Sequence, residues 1–284
     1  MLFLLLLSAG LWACTGGQSA PDQTPPPPPA PTASALSAHF DPAWAAAAHW
    51  DDGLAEVATY DAVRVIYGKP RTFEYTFALV KEAFNAAYRV KTDDYQRDDL
   101  YDVLKLNMFA RIPTDNYPYH FLTSVFVLRS DATRLHKLTT SSQEWCGNTF
   151  KEFLREGEGL RYTWHSYWDG QGDGSSTLGG DVLFEDQLPL TLRSLRFAEG
   201  LRFEHALLPS EISSRAYPPQ PIQAEFVVSA DPVGEVAAWR VDVRAAAQRS
   251  SYWFDSNFPH AMLRMERSDG SSAVLKDLRR WAYW

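Results

Sequence analysis

Residues 72–82 alternate: Phe73, Tyr75, Phe77 and Leu79 share one parity, Glu74 and Thr76 the other. A period of two is the pleat of a β-strand with one buried face. Strand-like runs recur at 54–62, 103–112, 117–128, 136–143, 149–156 and 160–168. Tyr67-Gly68-Lys69-Pro70 and Pro113-Thr114-Asp115-Asn116 read as turns between them. Connections this short join antiparallel neighbours, because parallel strands need long crossovers. The pattern then breaks. Leu188, Leu192 and Leu195 recur at helical spacing, which predicts a helix over 183–198, and 208–221 is rich in proline and turns. Strands resume at 223–229, 236–244, 251–255, 262–267 and 273–278, with Ser268-Asp269-Gly270 as a hairpin turn. The expected fold class is mainly β: a large curved antiparallel sheet or half-open barrel with a short helical insertion lying across it.

Composition sharpens this. The chain carries 10 Trp, 13 Tyr and 16 Phe, which suits a β-rich fold with a bulky interior. Its net charge of -8 argues against nucleic acid, whose phosphates call for a basic surface. Two cysteines exclude a disulfide-dense scaffold. Beyond the N-terminus no apolar run approaches the ~20 residues of a spanning helix.

The N-terminus reads as an address. Residues 1–13 have the apolar core of a signal peptide, too short to span a bilayer. Leu11-Trp12-Ala13-Cys14 resembles the bacterial lipobox, although Trp12 is bulky and no basic residue precedes the apolar core. The resemblance implies cleavage before Cys14 and its lipidation, and Thr15 after it implies the periplasmic face of the outer membrane. The other reading is a plain secretory signal with an incidental cysteine. Residues 14–40, with Pro25 to Pro29 unbroken, read as a lipidated cysteine and an extended proline-rich tether, or as a ligand for a proline-reading partner. Residues 41–284 then form one β-rich domain. With Cys14 lipidated, Cys146 has no partner within the chain.

Candidate chemistry is sparse. Cys146, in Gln143-Glu144-Trp145-Cys146-Gly147, is a candidate thiol nucleophile with His165 or His136 as base. The alternative is structural: Gly147-Asn148 makes a hairpin turn, and Trp145 and Cys146 point to opposite faces, with Trp145 buried in the sheet. Asp169 and Asp173 open a stretch like a calcium loop, but Gly180 stands where a bidentate Glu belongs. Asp98-Asp99-Leu100-Tyr101-Asp102 has the letters of a magnesium motif without its second copy. No metal spacing among histidines, nucleophile elbow or phosphate loop appears, so no cofactor is expected. The aromatic faces remain: Phe73, Tyr75, Phe77, Tyr162 and Trp164 would either fill a core or line a concave face that holds a lipid or other apolar ligand.

Several stretches carry a further resemblance. Trp50-Asp51-Asp52-Gly53-Leu54-Ala55-Glu56, Val103-Leu104-Lys105-Leu106-Asn107, Leu122-Thr123-Ser124-Val125-Phe126, Ser141 to Gly147 and Leu160-Arg161-Tyr162 together look like a family of exported bacterial lipoproteins of unassigned function. Some members carry the label "septum formation inhibitor Maf", although the Ser-x-Ser-Pro-Arg-Arg loop of Maf pyrophosphatases is absent from this chain. The segment from Tyr252 to Gly270 also resembles exported half-barrel domains related in fold to the lipoprotein carriers LolA and LolB. With the aromatic faces, the expected function is that of a non-enzymatic envelope lipoprotein that binds a lipid or apolar ligand. The alternatives are a scaffold for other envelope proteins and a thiol-dependent hydrolase using Cys146.

Overall fold

Sixteen strands pair side by side in one sheet in the computed structural model, which describes residues 35–284. Cys14, the leader and the proline run lie outside the described residues. The strands are β1 (Ala55–Ile66), β2 (Lys69–Asn85), β3 (Val90–Lys91), β4 (Leu100–Ile112), β5 (Tyr119–Leu128), β6 (Asp131–Gln143), β7 (Asn148–Glu156) and β8 (Gly159–Ser166). They continue as β9 (Asp173–Gly179), β10 (Leu183–Phe184), β11 (Arg202–Leu208), β12 (Ile222–Ala230), β13 (Ala238–Ala245), β14 (Gln248–Asp255), β15 (Met262–Arg267) and β16 (Ser272–Trp281).

The sheet is a meander cut and rejoined. Strands β10 to β16 lie in chain order, then β1 to β9, with the short β3 paired off the main path to β2. The junction is β16 against β1, running antiparallel from Ala55↔Trp281 to Val63↔Ser272. The two free edges, β9 and β10, are consecutive in the chain. Among the described residues only β10 pairs parallel, with β11. The sheet is therefore an unclosed, barrel-like meander, as expected from the hairpin spacing.

It stays open where the chain turns inward. Every residue from Val182 to Leu195 is buried. The expected helix is a shorter device than its leucine spacing implied: helix α2 (Leu188–Thr191) between 3-10 turns Glu185–Gln187 and Leu192–Ser194. Pro189 sits in the first turn of α2, where its missing N–H is not needed. This segment is an internal plug, with Leu188, Leu190 and Leu192 fully buried in the main core. Gln187 donates to the Thr133 carbonyl at 3.0 Å and Thr191 to that of Ala132 at 2.7 Å, tying the plug to β6. Arg193 forms a two-pronged bond to Glu56 of β1 at 2.7 and 3.0 Å, both side chains buried.

The N-terminal segment packs beside the plug. Helix α1 (Pro42–Ala46) is capped by Asp41, and Phe40 bridges Leu195. Leu36 and Phe40, inside the stretch read as tether, are buried in the same core. Because hairpins alternate ends, the turns at 67–68, 113–118, 144–147 and 167–172 share one end of the sheet. The β15–β16 turn joins them, since Ser272 pairs with Val63 near the end of β1. Tyr67 and Gly68, at φ 53 and 71, make the tight turn whose twist suits a hairpin.

Two strands lie outside the strand-like runs of the sequence, and one expectation fails. Strand β9 (Asp173–Gly179) lacks apolar alternation; it is a sheet edge and needs only one partner. Strand β11 (Arg202–Leu208) precedes the proline-rich stretch. Trp145 is not buried in the sheet: Gln143 pairs with Asn148, so Glu144 to Gly147 form the turn, and Trp145 is 80% exposed at its tip.

Candidate functional site

Interior side chains come from alternate positions along the strands, and the plug decides what each of them faces. On β2, Phe73, Tyr75 and Phe77 stack along the strand, with Tyr75 and Phe77 4.6 Å apart in an edge contact. Met108 and Ala110 of β4 stand beside them. Opposite, the plug presents Glu185, Asp186 and Pro189, while β14 and β15 supply Tyr252 and Met265, and Arg267 closes the wall. Between them lies a cavity of about 60 Å³. It shares Arg64, Glu185, Ser210, Ile212 and Arg267 with an outer cleft of about 220 Å³ reaching Arg249, Ser268 and Asp269. The cleft therefore opens at the end that carries the 67–68 and 268–271 turns. The two spaces together come just short of the roughly 300 Å³ at which small-molecule pockets begin.

The inner wall is apolar and the mouth is polar. Glu185 pairs with Arg267 and accepts from Ser250 Oγ and the Ser210 N–H, both at 3.1 Å. Burial works against the charge of Arg267, but Glu185 and the neighbouring Tyr252, Asp186 and Asp269 together outweigh it and hold the guanidinium charged. Asp186 accepts from Ser210 Oγ at 2.6 Å and the Glu211 N–H at 2.7 Å, yet burial pushes its carboxyl above the usual range. Arg267 Nε is buried without a hydrogen-bond partner, and Tyr252 Oη lies against Arg267 and Ser250 without a well-formed bond. Buried donors of this kind call for an acceptor, either water or a ligand oxygen.

A strap, residues 209–221 between β11 and β12, crosses the mouth. Arg64 donates to the Ile212 carbonyl, and Thr149 donates to that of Ser214 at 2.8 Å. Lys151, 1% exposed, donates from Nζ to the Glu211 carbonyl, to Glu211 Oε2 at 3.0 Å and to the Arg215 carbonyl at 2.9 Å. That occupies all three ammonium donors, which is how a lysine is accommodated in an interior. Nothing in the sequence singled out Lys151. It stands at a strand position that faces the strap, and strap and strand lie far apart in the chain.

The sequence-predicted residues separate. Phe73, Tyr75 and Phe77 line the cavity. Tyr162 and Trp164 do not: Tyr162 is fully buried between Phe153 at 4.4 Å and Trp164 at 4.8 Å, and Phe184 of the plug closes on Phe153. Those two rings belong to filled core. Cys146 is exposed in its turn, and its contact is the Tyr117 hydroxyl at 2.9 Å, which pushes that phenol up to about 12. His165 faces Asp173 at 3.2 Å, both largely exposed. His136 is buried on the opposite face with Nε2 2.8 Å from the Tyr101 hydroxyl. Seven residues of β6 separate it from the turn start, about 23 Å along a strand. The geometry thus assembles no Cys–His pair. Asp169 and Asp173 gather no further acidic ligands, and among the described residues no group of three or more His, Cys, Asp or Glu side chains is placed to hold a metal. Asp99 is bound by Arg97 at 2.7 and 2.8 Å, and Asp102 faces Lys81 and Arg129, so these acids are committed to ion pairs.

Comparison with known proteins bears on the fold. No family model matches the chain, and no curated protein does. Among solved structures, a DUF1089-family protein from Pseudomonas aeruginosa shares 13% identity over 65% of this chain and 87% of its own, with a TM-score of 0.36. A β-barrel-like protein of the domain of unknown function DUF1849 from Brucella abortus aligns over 81% of this chain and 98% of its own, at 11% identity and a TM-score of 0.50. The chain is thus similar to a barrel-like protein of unknown function, a likeness of fold alone.

Proposed function

We propose that the protein is a non-enzymatic binding lipoprotein of the cell envelope, anchored through Cys14 at the periplasmic face of the outer membrane, that holds a small apolar or amphipathic ligand in the cleft beside β2. One observation carries the ligand reading: a cavity lies between an aromatic wall and a polar, underpaired mouth. The volume limits the occupant to a short chain or a single acyl tail rather than a whole phospholipid. Its apolar part would lie on Phe73, Tyr75, Phe77 and Met108, and an acceptor oxygen would meet Arg267 Nε.

The test uses cis-parinaric acid as a fluorescent probe. Ala110→Phe places a ring in the cavity. The parent should bind the probe, and A110F should fold normally while binding at least about tenfold more weakly, as expected when an apolar pocket is filled. A parent that binds nothing, or an A110F that binds equally well, defeats the ligand reading. The anchor is tested separately: Cys14→Ala should abolish labelling by a palmitate analogue and release the protein into the periplasm.

A further inference from the structure

The end at which the cleft opens is ringed by aromatic side chains. Tyr67 and Tyr119 meet through their hydroxyls, with ring centres 6.2 Å apart. Tyr119 lies 5.6 Å from Tyr117, and Tyr117 stacks on Trp145 at 5.4 Å and 11°. On the far side of the same turn, Gly147 lies flat against the Tyr167 ring: a Cβ there would come within 2.2 Å of it. Tyr167 contacts Trp168 at 5.6 Å, and Arg215 of the strap sits 3.8 Å over the Trp168 ring. The arc runs across successive hairpin tips. Tyr67 and Trp145 are each 80% exposed, Tyr167 61% and Tyr217 of the strap 62%.

Hairpin tips are ordinarily polar, and a contiguous exposed apolar patch marks a contact surface. The residue types identify the contact. Tyrosine and tryptophan have an apolar ring and a polar tip, the combination that settles at the boundary between lipid headgroups and acyl chains. Charge agrees. At this end Lys69 and Arg71 close on Asp115, and the three exposed turns carry two further acids, Glu144 and Asp169. The opposite end exposes rings too, but among charges: Tyr88 and Tyr95 stand in a loop with Arg89, Lys91, Asp93, Asp94, Arg97, Asp98 and Asp99, while Trp281, Tyr283 and Trp284 follow Asp277, Arg279 and Arg280, and immersing those charges would be costly.

We infer that this aromatic rim docks on a bilayer surface, the tips of the 67–68, 144–147 and 167–172 turns entering the headgroup region of zwitterionic lipid. The inference stands on the rim alone and holds whether or not the cleft binds a ligand. Docked in this way, the cleft would open onto the bilayer.

The chemistry of the rim supplies its own probe. In the full chain carrying Cys14→Ala, Cys146 is the single thiol and lies at the rim. It is labelled with nitrobenzoxadiazole and mixed with vesicles of phosphatidylcholine and phosphatidylethanolamine in equal parts. The label should shift to the blue and become shielded from a water-soluble quencher. A label at Tyr95→Cys, in a Cys146→Ser background, should stay in water. Co-sedimentation with the vesicles should fall roughly tenfold or more in Tyr67→Ser/Trp145→Ser/Tyr167→Ser, because three interfacial rings are withdrawn together. The triple variant should keep the parent's melting temperature, and Trp145→Ser alone serves if it does not. A Cys146 label that remains in water, a Tyr95 label that is immersed instead, or sedimentation unaffected by the substitutions overturns the inference. So does a rim that binds another protein or a glycan while ignoring vesicles.

Discussion

Two aromatic stretches line the inner face of this sheet, and they read alike in the sequence. Phe73, Tyr75 and Phe77 climb β2; Tyr162 and Trp164 climb β8 beside Phe153 of β7. One set faces a cavity and the other is solid core. The difference lies in the plug. Against β7 and β8 it presents Phe184, which fits edge-on to Phe153 at 4.9 Å. One residue later it presents Glu185 and Asp186, whose carboxylates are held by Ser210, Ser250 and Arg267 and so cannot sink into the aromatic wall. An aromatic strand face becomes a pocket when the element opposite it carries polar atoms already bonded elsewhere. Residue type on the strand does not decide this.

The largest test of that contrast is truncation. Phe153→Ala leaves a hole among rings that cannot collapse, so unfolding free energy should fall by about 3–5 kcal/mol. Tyr75→Ala opens onto space that already exists, and its loss should be nearer 1–2 kcal/mol, mostly from transfer of the ring. Urea unfolding of both variants measures the difference. Equal losses would mean that the two regions are packed alike and that the cavity is not maintained in solution.

This contrast marks the limit of what the sequence conveyed. Alternation on β2 identified its inward residues, because it depends only on the pleat. The leucine spacing of 188–195 located the helical element, but a spacing fixes a face and not its depth. All of 182–195 is buried because β9 and β10 leave the barrel open there, and that gap follows from β16 pairing with β1 across the whole length of the chain. Trp145 fails for a related reason. Strand parity put it on the apolar side, but the Gln143–Asn148 pair ends the strand before it. The buried Lys151 and the polar floor at Glu185 and Asp186 gave no local signal, since each is satisfied by residues remote in the chain.

Acid should separate the regions next. Burial pushes His136, on the outer face against Tyr101 and Phe84, down to about 4. The unfolded chain takes up its proton near pH 6.5, so between about 6.5 and 4 it binds more protons than the folded chain. Stability is thus complete above pH 6.5 and declines as pH falls towards 4, by on the order of 3 kcal/mol. The carboxyls of Asp186 and Glu211, at the cleft and its strap, move the other way: burial raises them, so protonation there favours the folded state. His136→Gln, which keeps an acceptor for Tyr101, should flatten the acid decline seen in thermal melts. A decline of unchanged size would place the acid sensitivity elsewhere.

The finest test removes one oxygen from each region. Tyr162 and Tyr252 are both buried, and neither hydroxyl makes a hydrogen bond of good geometry. Burial raises both phenols well above their ordinary range, so each is a neutral hydroxyl without a partner. In the filled region Phe153, Trp164 and the plug surround Tyr162, and its hydroxyl lost water on folding without gaining a replacement. Tyr162→Phe should therefore stabilise the protein, by about 1 kcal/mol. Tyr252 lines the cavity, where a water molecule has room to bridge its hydroxyl to Arg267 or Ser250. Tyr252→Phe would forfeit that bridge and should be neutral or slightly destabilising. The expected signature is a pair of opposite or clearly unequal shifts in melting temperature from chemically identical changes. If both variants are stabilised to the same degree, the space beside Tyr252 is dry and closed, and it then behaves as core in the way the β7–β8 region does.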